Sequence, residues 1–273
     1  MTIFLYVLIP VLMMSSCVHA QEGISFSIGA RTHEKMPLYL GIIGNPENSA
    51  LQEMGTRIKD DLEFSGQFSV SHEMLDKNPS KKTLEHHAQS GIPLAIYISG
   101  SSDHKFFEWR VYETYQQSML QGRRVKKQGT NPRGWGHRVA DALWPVLTGK
   151  DSFFSSKLAY CKDVATRTGK IIKHVCVADF DGTNVQVFKV PTVTLAPRWN
   201  HDPLNPLLFY SEHTNDNVRL RVYDMCSGNC KTASDFPGIN MLPTFSGDGK
   251  KVVYCASRGS GRCALYSYSG SQF

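Results

Sequence analysis

Asp, Glu, Lys and Arg are all missing from the first 21 positions of this 273-residue chain. Residues 3–14 are almost wholly apolar, and the stretch closes on Val18, His19 and Ala20, with small residues where a signal peptidase cuts. The apolar run is shorter than the roughly 20 residues that span a bilayer. No later segment of the sequence is a candidate membrane span either. The sequence predicts a cleaved secretory signal peptide over residues 1–20, with lipidation at Cys17 as the alternative.

Cysteine is absent from residues 18–160, and the six that follow the leader all lie in the second half: Cys161, Cys176, Cys226, Cys230, Cys255 and Cys263. An even number of cysteines in an exported chain indicates disulfide bonds. Consecutive cysteines flank short turns, so we expect three local bonds that join neighbours in this order. A zinc site is the alternative, but no Cys-x-x-Cys pair occurs and the histidines lack ligand spacing. We therefore expect no metal.

Catalytic signatures are also lacking. Ser260 and Ser271 neighbour glycines without the spacing of a hydrolase nucleophile elbow. Asp60 and Asp61 are adjacent, and neighbouring helix positions point about 100° apart, so they cannot share a reacting atom. The adjacent His86–His87 pair has no third ligand nearby and is predicted to lie at the surface. These absences favour a non-enzymatic protein without a cofactor, and leave a propeller hydrolase or ligand-binding propeller as the alternative.

The charge balance is mildly basic, at +6, with cations spread along the chain. One dense cluster stands out, at residues 123–127 (RRVKK). A nucleic-acid surface would interleave aromatic residues with these cations and would need nucleic acid in the same compartment. We interpret the cluster as a solvated strand end and expect no nucleic-acid partner.

The first part of the mature chain, residues 21–150, alternates strand-like and helix-like segments. Apolar residues at three-to-four spacing predict a helix from about Asn48 to Ser65, and similar reasoning predicts helices over residues 81–89 and 132–147. Alternating or continuous apolar runs predict the strands, at residues 24–28, 36–43, 67–70, 93–100, 105–114 and 117–126. This order indicates a small α/β domain.

The second part, residues 151–273, consists of short β-rich runs that repeat. Residues 207–212 match residues 251–256, forty-four positions later, and residues 196–200 match residues 242–246. Such a period with several strands per unit is typical of propeller blades. A β-sandwich is the alternative. The fold class is therefore predicted as α+β, with a small α/β N-terminal domain followed by a β-propeller.

Several motifs resemble those of the TolB family. Residues 245–254 (FSGDGKKVVY) resemble its blade motif, with Gly247 in place of the usual Pro. Residues 137–150 and 153–160 resemble the family's final helix, its Leu-Thr-Gly end and its first propeller strand. Residues 60–68 and 179–182 are similar to its first-helix and first-blade motifs. The likeness extends over residues 22–273.

The resemblance implies a six-bladed propeller behind an α/β domain in the periplasm. It also implies a role in the Tol–Pal system, which couples the inner and outer membranes in envelope maintenance and cell division. Family members contact TolA through the mature N-terminal segment and the peptidoglycan-associated lipoprotein Pal through the propeller. The matching segment here is residues 22–32, with Glu22, Ile24, Phe26 and Ile28 as the candidate TolA-like contacts. The length after Gly149 suffices for only two to three blades, so we expect a truncated propeller.

Overall fold

The computed structural model describes residues 34–101, 104–188, 192–202, 204–249, 251–258 and 261–269. The predicted signal peptide with Cys17 lies outside these residues, as do the candidate partner contacts Glu22, Ile24, Phe26 and Ile28. The segment Lys35–Phe273 forms one compact unit. No helix in the described ranges has the length and apolar character that a membrane span requires.

The first part of the chain builds a five-stranded sheet with three helices. Its elements in chain order are β1 (Met36–Ile43), α1 (Ser49–Phe64), β2 (Phe68–Leu75), α2 (Lys81–Gln89), β3 (Leu94–Gly100), β4 (Phe106–Glu113), β5 (Ser118–Lys126) and α3 (Pro132–Thr148). The strand order is β2-β1-β3-β4-β5. β1 is parallel to β2 and β3, and the hairpin-connected strands β4 and β5 are antiparallel.

Two long helices cover one face of this sheet. α1 buries Met54, Ile58 and Leu62, whose three-to-four spacing forms the apolar stripe expected of an amphipathic helix. Together with apolar residues of α3 and of the sheet, they form the main core. The Asn48 side chain accepts hydrogen bonds from the first turn of α1, and Gly149 ends α3 in the left-handed conformation, at φ 69°. The caps fix where both helices begin and end.

The second part contains three small antiparallel sheets, one after another along the chain. Blade 1 consists of β6 (Lys157–Ala165), β7 (Ile171–Asp179) and β8 (Gln186–Val187). Blade 2 consists of β9 (Val193–Trp199), β10 (Leu207–His213), β11 (Val218–Asp224) and β12 (Cys230–Ser234). Blade 3 consists of β13 (Asn240–Phe245), β14 (Lys251–Ala256) and β15 (Ala264–Ser269). Neighbouring blades pack through buried apolar residues. The predicted fold class is confirmed as a partial propeller whose sheets do not close into a ring.

The repeat seen in the sequence is also a repeat of backbone conformation. Ala196 in β9 and Leu242 in β13, which the sequence alignment matches, have φ values of 52° and 55°. Both belong to the left-handed region that residues with a Cβ rarely adopt. Each of the two strands shifts register against its neighbour, β10 or β14. The first strands of blades 2 and 3 therefore share one bulge, which supports their equivalence.

The predicted strand at residues 24–28 lies outside the described residues, and the other predicted elements of the first part agree closely with the structure. α2 has the predicted bounds, α3 ends one residue beyond them, and β2 continues to Leu75 instead of ending at Val70. The change from helices and mixed sheet to blades falls between α3 and β6. The predicted surface position of His87 is wrong, because the imidazole is buried (7% exposed) between α2 and the sheet.

Candidate functional site

The candidate site is the junction at which α1 and α3 meet blade 1. The connection from α3 to β6 is fixed by Asp141 of α3, whose carboxylate accepts hydrogen bonds from the backbone N–H groups of Phe154 (2.8 Å) and Ser155 (3.0 Å). The Phe154 side chain is fully buried in the main core. A backbone that is both hydrogen-bonded and anchored by a buried ring is held in one position.

Aromatic rings continue the core from the α/β part into blade 1. Phe154 packs edge-on against Trp144 of α3, with ring centroids 5.4 Å apart. On its other side it contacts Phe180, which follows β7, at 5.5 Å. Phe180 in turn packs against Phe64 at the end of α1. These edge-to-face contacts have the favoured geometry of aromatic pairs, and they join the two parts without a break in apolar packing.

Ion pairs surround this aromatic contact. Asp181, in the turn after β7, accepts hydrogen bonds from Arg57 of α1 (2.7 Å) and from Arg133 of α3 (3.0 Å). Arg133 also donates to the Thr183 hydroxyl, and Thr183 donates its backbone N–H to Asp181. The three charged side chains are 12–23% exposed. One carboxylate of blade 1 therefore binds both long helices.

A second series of polar side-chain contacts includes His137 of α3. Its Nδ1 lies 2.8 Å from Oδ2 of Asp61 in α1, and its Nε2 lies 3.8 Å from Oδ2 of Asp179 in blade 1. Asp179 also pairs with Lys157 at the start of β6. With a neutral imidazole, Nδ1–H donates to the Asp61 carboxylate. Asp61, His137 and Asp179 are all buried, so these contacts connect α1, α3 and β7 away from water, whereas Lys157 of β6 is exposed.

The environment shifts the pKa of two acidic groups of the junction, Asp61 and Asp181. Burial raises the pKa of Asp61 above its usual value, although the hydrogen bond with His137 and the charge of Arg57 oppose the shift. Burial would also raise the pKa of Asp181, but hydrogen bonds from Thr183 and the guanidinium groups of Arg57 and Arg133 outweigh it and lower that pKa. Asp181 is therefore held as a carboxylate.

The junction brings together three groups of the types that bind metals. Potential ligand atoms of His137, Asp179 and Asp181 lie within 4.8 Å of one another. Lysine and arginine side chains already pair with both carboxylates. A divalent cation would have to displace these cations and would be repelled by them. We therefore interpret the cluster as an ion-pair network that joins helices to blade 1.

An open recess of about 680 Å³ lies beside the junction. Ser155 and Lys157 form one side of it, and Trp199, His201 and Met225 of blade 2 contribute to the other. The indole Nε1–H of Trp199 is buried and has no hydrogen-bond partner among the described residues. The recess therefore offers an aromatic surface with a nearby cation.

The register of blade 1 bears on one of the three predicted disulfides, the bond between Cys161 and Cys176. Cys161 pairs across the β6–β7 hairpin with Val175, and Cys176 pairs with Tyr160. Directly opposed residues share a face and successive residues alternate, so Cys161 and Cys176 point to opposite faces of blade 1. A bond between them is incompatible with this register.

The other two predicted pairs lie on blades 2 and 3. The Cys230 sulfur contacts the Tyr210 hydroxyl (3.3 Å) and the Arg221 guanidinium (3.4 Å), and Cys226 lies across the same exposed turn. Cys255 and Cys263 are close enough for a hydrogen bond between their thiols. Burial and this contact raise the pKa of the Cys255 thiol. Both pairings stay predictions.

Comparison with known proteins agrees with this architecture. Residues 144–269 match the family model described as the TolB beta propeller domain. A Tol-Pal system protein TolB from Gluconobacter oxydans (strain 621H) is 28% identical over 155 residues, which are 56% of this chain and 34% of the relative. One from Francisella tularensis subsp. tularensis (strain FSC 198) is 24% identical over 233 residues, 82% of this chain and 52% of the relative.

The blades of this chain are therefore similar to the TolB beta propeller domain. A crystal structure of TolB from Acinetobacter baumannii has the same fold, with a TM-score of 0.64 and 24% identity over 86% of this chain and 58% of that chain. This likeness includes both the α/β part and the blades. The chain spans about one third to one half of the length of the curated TolB relatives that it matches.

Sequence reasoning found the segments of the junction but not their contacts. Residues 137–150 and 179–182 resemble TolB motifs. In the sequence, Asp61 stands out only as one of two adjacent acidic residues. The pairing of Asp181 with Arg57 joins positions 124 residues apart. The one available signal was the Asp-x-Asp-Gly turn directly after a strand, which places acidic groups at a blade end.

Proposed function

We propose that this chain is an exported, non-enzymatic binding protein of a Tol–Pal-like envelope system. In this role it links an inner-membrane and an outer-membrane partner in envelope integrity and cell division, and it acts in the periplasm. The observation that carries the proposal is the likeness to TolB, a protein named for the Tol-Pal system, over both the α/β part and the blades. The assignment of residues 21–150 and 151–273 to separate domains belongs to the same proposal.

Two different surfaces would bind the two partners. The TolA-like partner would take up the N-terminal segment, in which Ile24, Phe26 and Ile28 alternate with polar residues. Such alternation suits the addition of a strand to the edge of a partner sheet, because the main chain supplies hydrogen bonds while alternate side chains fill pockets. The Pal-like lipoprotein would bind the blades.

The junction supports a role in which one chain bridges two partners. The ion pairs of Asp181 and the ring of Phe154 hold the blades to α1 and α3. A load applied to the blades would therefore pass to the α/β part through buried contacts. The arrangement suits a rigid connector between two membranes.

A ligand-binding propeller or a propeller hydrolase is the second candidate. The recess beside Trp199 and Lys157 is the observation in its favour, because an aromatic wall beside a cation fits a small ligand or a peptide side chain.

Affinity capture from a periplasmic extract distinguishes these candidates. The purified chain, immobilised through its C-terminus, would be exposed to the extract, and the bound proteins would be identified by mass spectrometry. We expect a TolA-like protein and a Pal-like lipoprotein. A matched variant without residues 21–32 should lose the TolA-like protein and keep the lipoprotein. Turnover of an ester or peptide substrate, with neither protein recovered, would contradict the proposal.

A further inference from the structure

The basic cluster at residues 123–127 lies on an edge strand with an unpaired outer side. β5 is the last strand of the five-stranded sheet, and no described strand pairs with its outer edge. The backbone N–H of Lys127 donates to the carbonyl of Lys105. Hydrogen-bonding directions alternate along an antiparallel strand, so the backbone groups of Arg124 and Lys126 point away from β4. They offer donors and acceptors to a further strand.

The side chains around this edge are predominantly cationic. Arg123, Arg124 and Lys126 are all exposed, and β5 itself contains no acidic residue. Glu108 of β4 partly neutralises the cluster through a 2.7 Å ion pair with Arg124, and it also contacts Arg110. The opposite edge strand, β2, contains no Lys or Arg. Cations are therefore concentrated on one of the two sheet edges.

A recess lies on each side of β5. One, of about 470 Å³, lies between β5 and α3 and is lined by Lys126 and Arg138 among others. Asp141 in this recess already accepts the two hydrogen bonds of the α3–β6 connection. The other, of about 210 Å³, lies on the strand surface beside Gly122 and Arg124. Side chains of an added strand would alternate between these two recesses, and each recess presents a guanidinium group.

We propose that the outer edge of β5 binds an extended acidic segment of a partner protein, which adds to the sheet as a sixth strand. Backbone hydrogen bonds to Arg124 and Lys126 would set the register, and carboxylates would meet Arg124 on one side and Arg138 on the other. A second copy of this chain would instead place cations opposite cations, which is unfavourable in a strand pair. The residues of this surface belong to β4, β5 and α3, and include neither the candidate TolA-like contacts nor the blades, so the inference does not depend on the proposed function.

Peptide binding measured by fluorescence anisotropy tests this proposal. The probe is a fluorescein-labelled, end-blocked peptide of nine residues, the length of β5, in which valine and glutamate alternate. The matched variants are Arg124→Ala and Arg124→Pro. Both substitutions remove the charge of Arg124, but only proline also removes the backbone N–H that points away from β4. Proline is tolerated on an edge strand at a position whose N–H faces outward. Lys82→Ala, on α2, is the control for loss of one exposed cation elsewhere.

We expect the probe to bind wild type and Lys82→Ala alike, and Arg124→Ala about threefold to fivefold more weakly. Arg124→Pro should bind about tenfold more weakly than Arg124→Ala, because a backbone hydrogen bond is lost as well. Hydrogen exchange on the wild-type chain supplies a readout that needs no variant. The amide of Lys126 should exchange more slowly once the peptide is bound.

Three results would overturn the proposal. Absence of binding would mean that the cations only prevent edge-to-edge aggregation. Equal affinity for a peptide of alternating valine and lysine would exclude the charge complementarity. Binding of phosphatidylglycerol vesicles with equal loss in Arg124→Ala and Arg124→Pro, and no peptide binding, would identify an anionic membrane surface instead of a strand.

Discussion

The guanidinium of Arg57 in α1 donates to the carboxylate of Asp181 in blade 1 across 2.7 Å. Arg133 of α3 donates to the same carboxylate oxygen. One acidic side chain thus closes a triangle between two helices and a blade, beside the ring of Phe180. This relationship helps to explain how the α/β part and the blades form one compact unit.

Removing the charge of Asp181 should destabilise the chain. In Asp181→Asn, two largely buried guanidinium groups would lose the carboxylate that they share, and among the described residues only Arg57 would keep an acidic neighbour, Asp60 at 3.7 Å, so the change should cost about 2 kcal/mol. The matched change Asp163→Asn, also in blade 1, breaks an ion pair with Lys173 whose side chains are 58% and 41% exposed, and should cost under about 0.5 kcal/mol. Urea unfolding measures both. Equal effects of the two substitutions would contradict a structural role for the Asp181 pairs.

Two glycines of α3 should respond in opposite directions to replacement by alanine. A Cβ at Gly136 would lie 2.7 Å from Cβ of Arg57 and 3.1 Å from the carbonyl oxygen of Met54, so Gly136→Ala should push α1 and α3 apart and cost about 1–2 kcal/mol. A Cβ at Gly134 would meet no atom within 4 Å. Gly134→Ala should therefore stabilise the helix by about 0.5 kcal/mol. Thermal unfolding of the two variants side by side checks the prediction, which fails if both stabilise the chain.

Stability should fall as the pH drops below the usual histidine pKa of 6.5. The His87 ring stacks on Tyr39 with centroids 4.0 Å apart, and its Nε2 lies 3.0 Å from the Tyr97 hydroxyl. Burial lowers the pKa of His87, and the nearby His86 lowers it further. A pKa that is lower in the folded state means that the unfolded chain binds the proton more readily. The resulting stability is present above pH 6.5 and is lost as the pH falls through the folded-state pKa.

The substitution His87→Phe tests this pH dependence. Phenylalanine keeps a ring against Tyr39 but cannot take up a proton, so the variant should lose less stability than wild type between neutral and mildly acidic pH. Part of the dependence should persist, because burial also lowers the pKa of His72. Urea midpoints across this range provide the measurement. Identical pH profiles for the two proteins would show that His87 does not contribute.

Cysteine connectivity is open to direct measurement by peptide mapping. In the chain purified from an oxidising compartment, we expect crosslinked peptides for Cys255–Cys263 and for Cys226–Cys230. Cys161 and Cys176 should be recovered as alkylated thiols after denaturation without reductant, because the β6–β7 register turns them to opposite faces. A crosslinked peptide containing both would contradict this register.

Local sequence patterns predicted most of the helices and strands. They did not predict the contacts between residues that are far apart in the sequence. The stripe of Met54, Ile58 and Leu62 predicts α1 because burial of one helix face imposes its own period. Cys161 and Cys176 are offset by one residue in the pairing of β6 with β7, which places them on opposite faces. The spacing of the two cysteines around the turn does not determine this offset. The sequence predicts an exposed His87 because no local pattern shows its contacts with Tyr39 of β1 and Tyr97 of β3.

The bridging role is the central claim, and sequential binding on a sensor surface tests it most directly. The soluble domain of a Pal-like lipoprotein would be immobilised, then exposed first to the purified chain and afterwards to a TolA-like domain. We predict two successive increases in bound mass, the second of which disappears for a variant without residues 21–32. A TolA-like domain that displaces the chain, or a chain that binds neither protein, would contradict a connector that holds both partners at once.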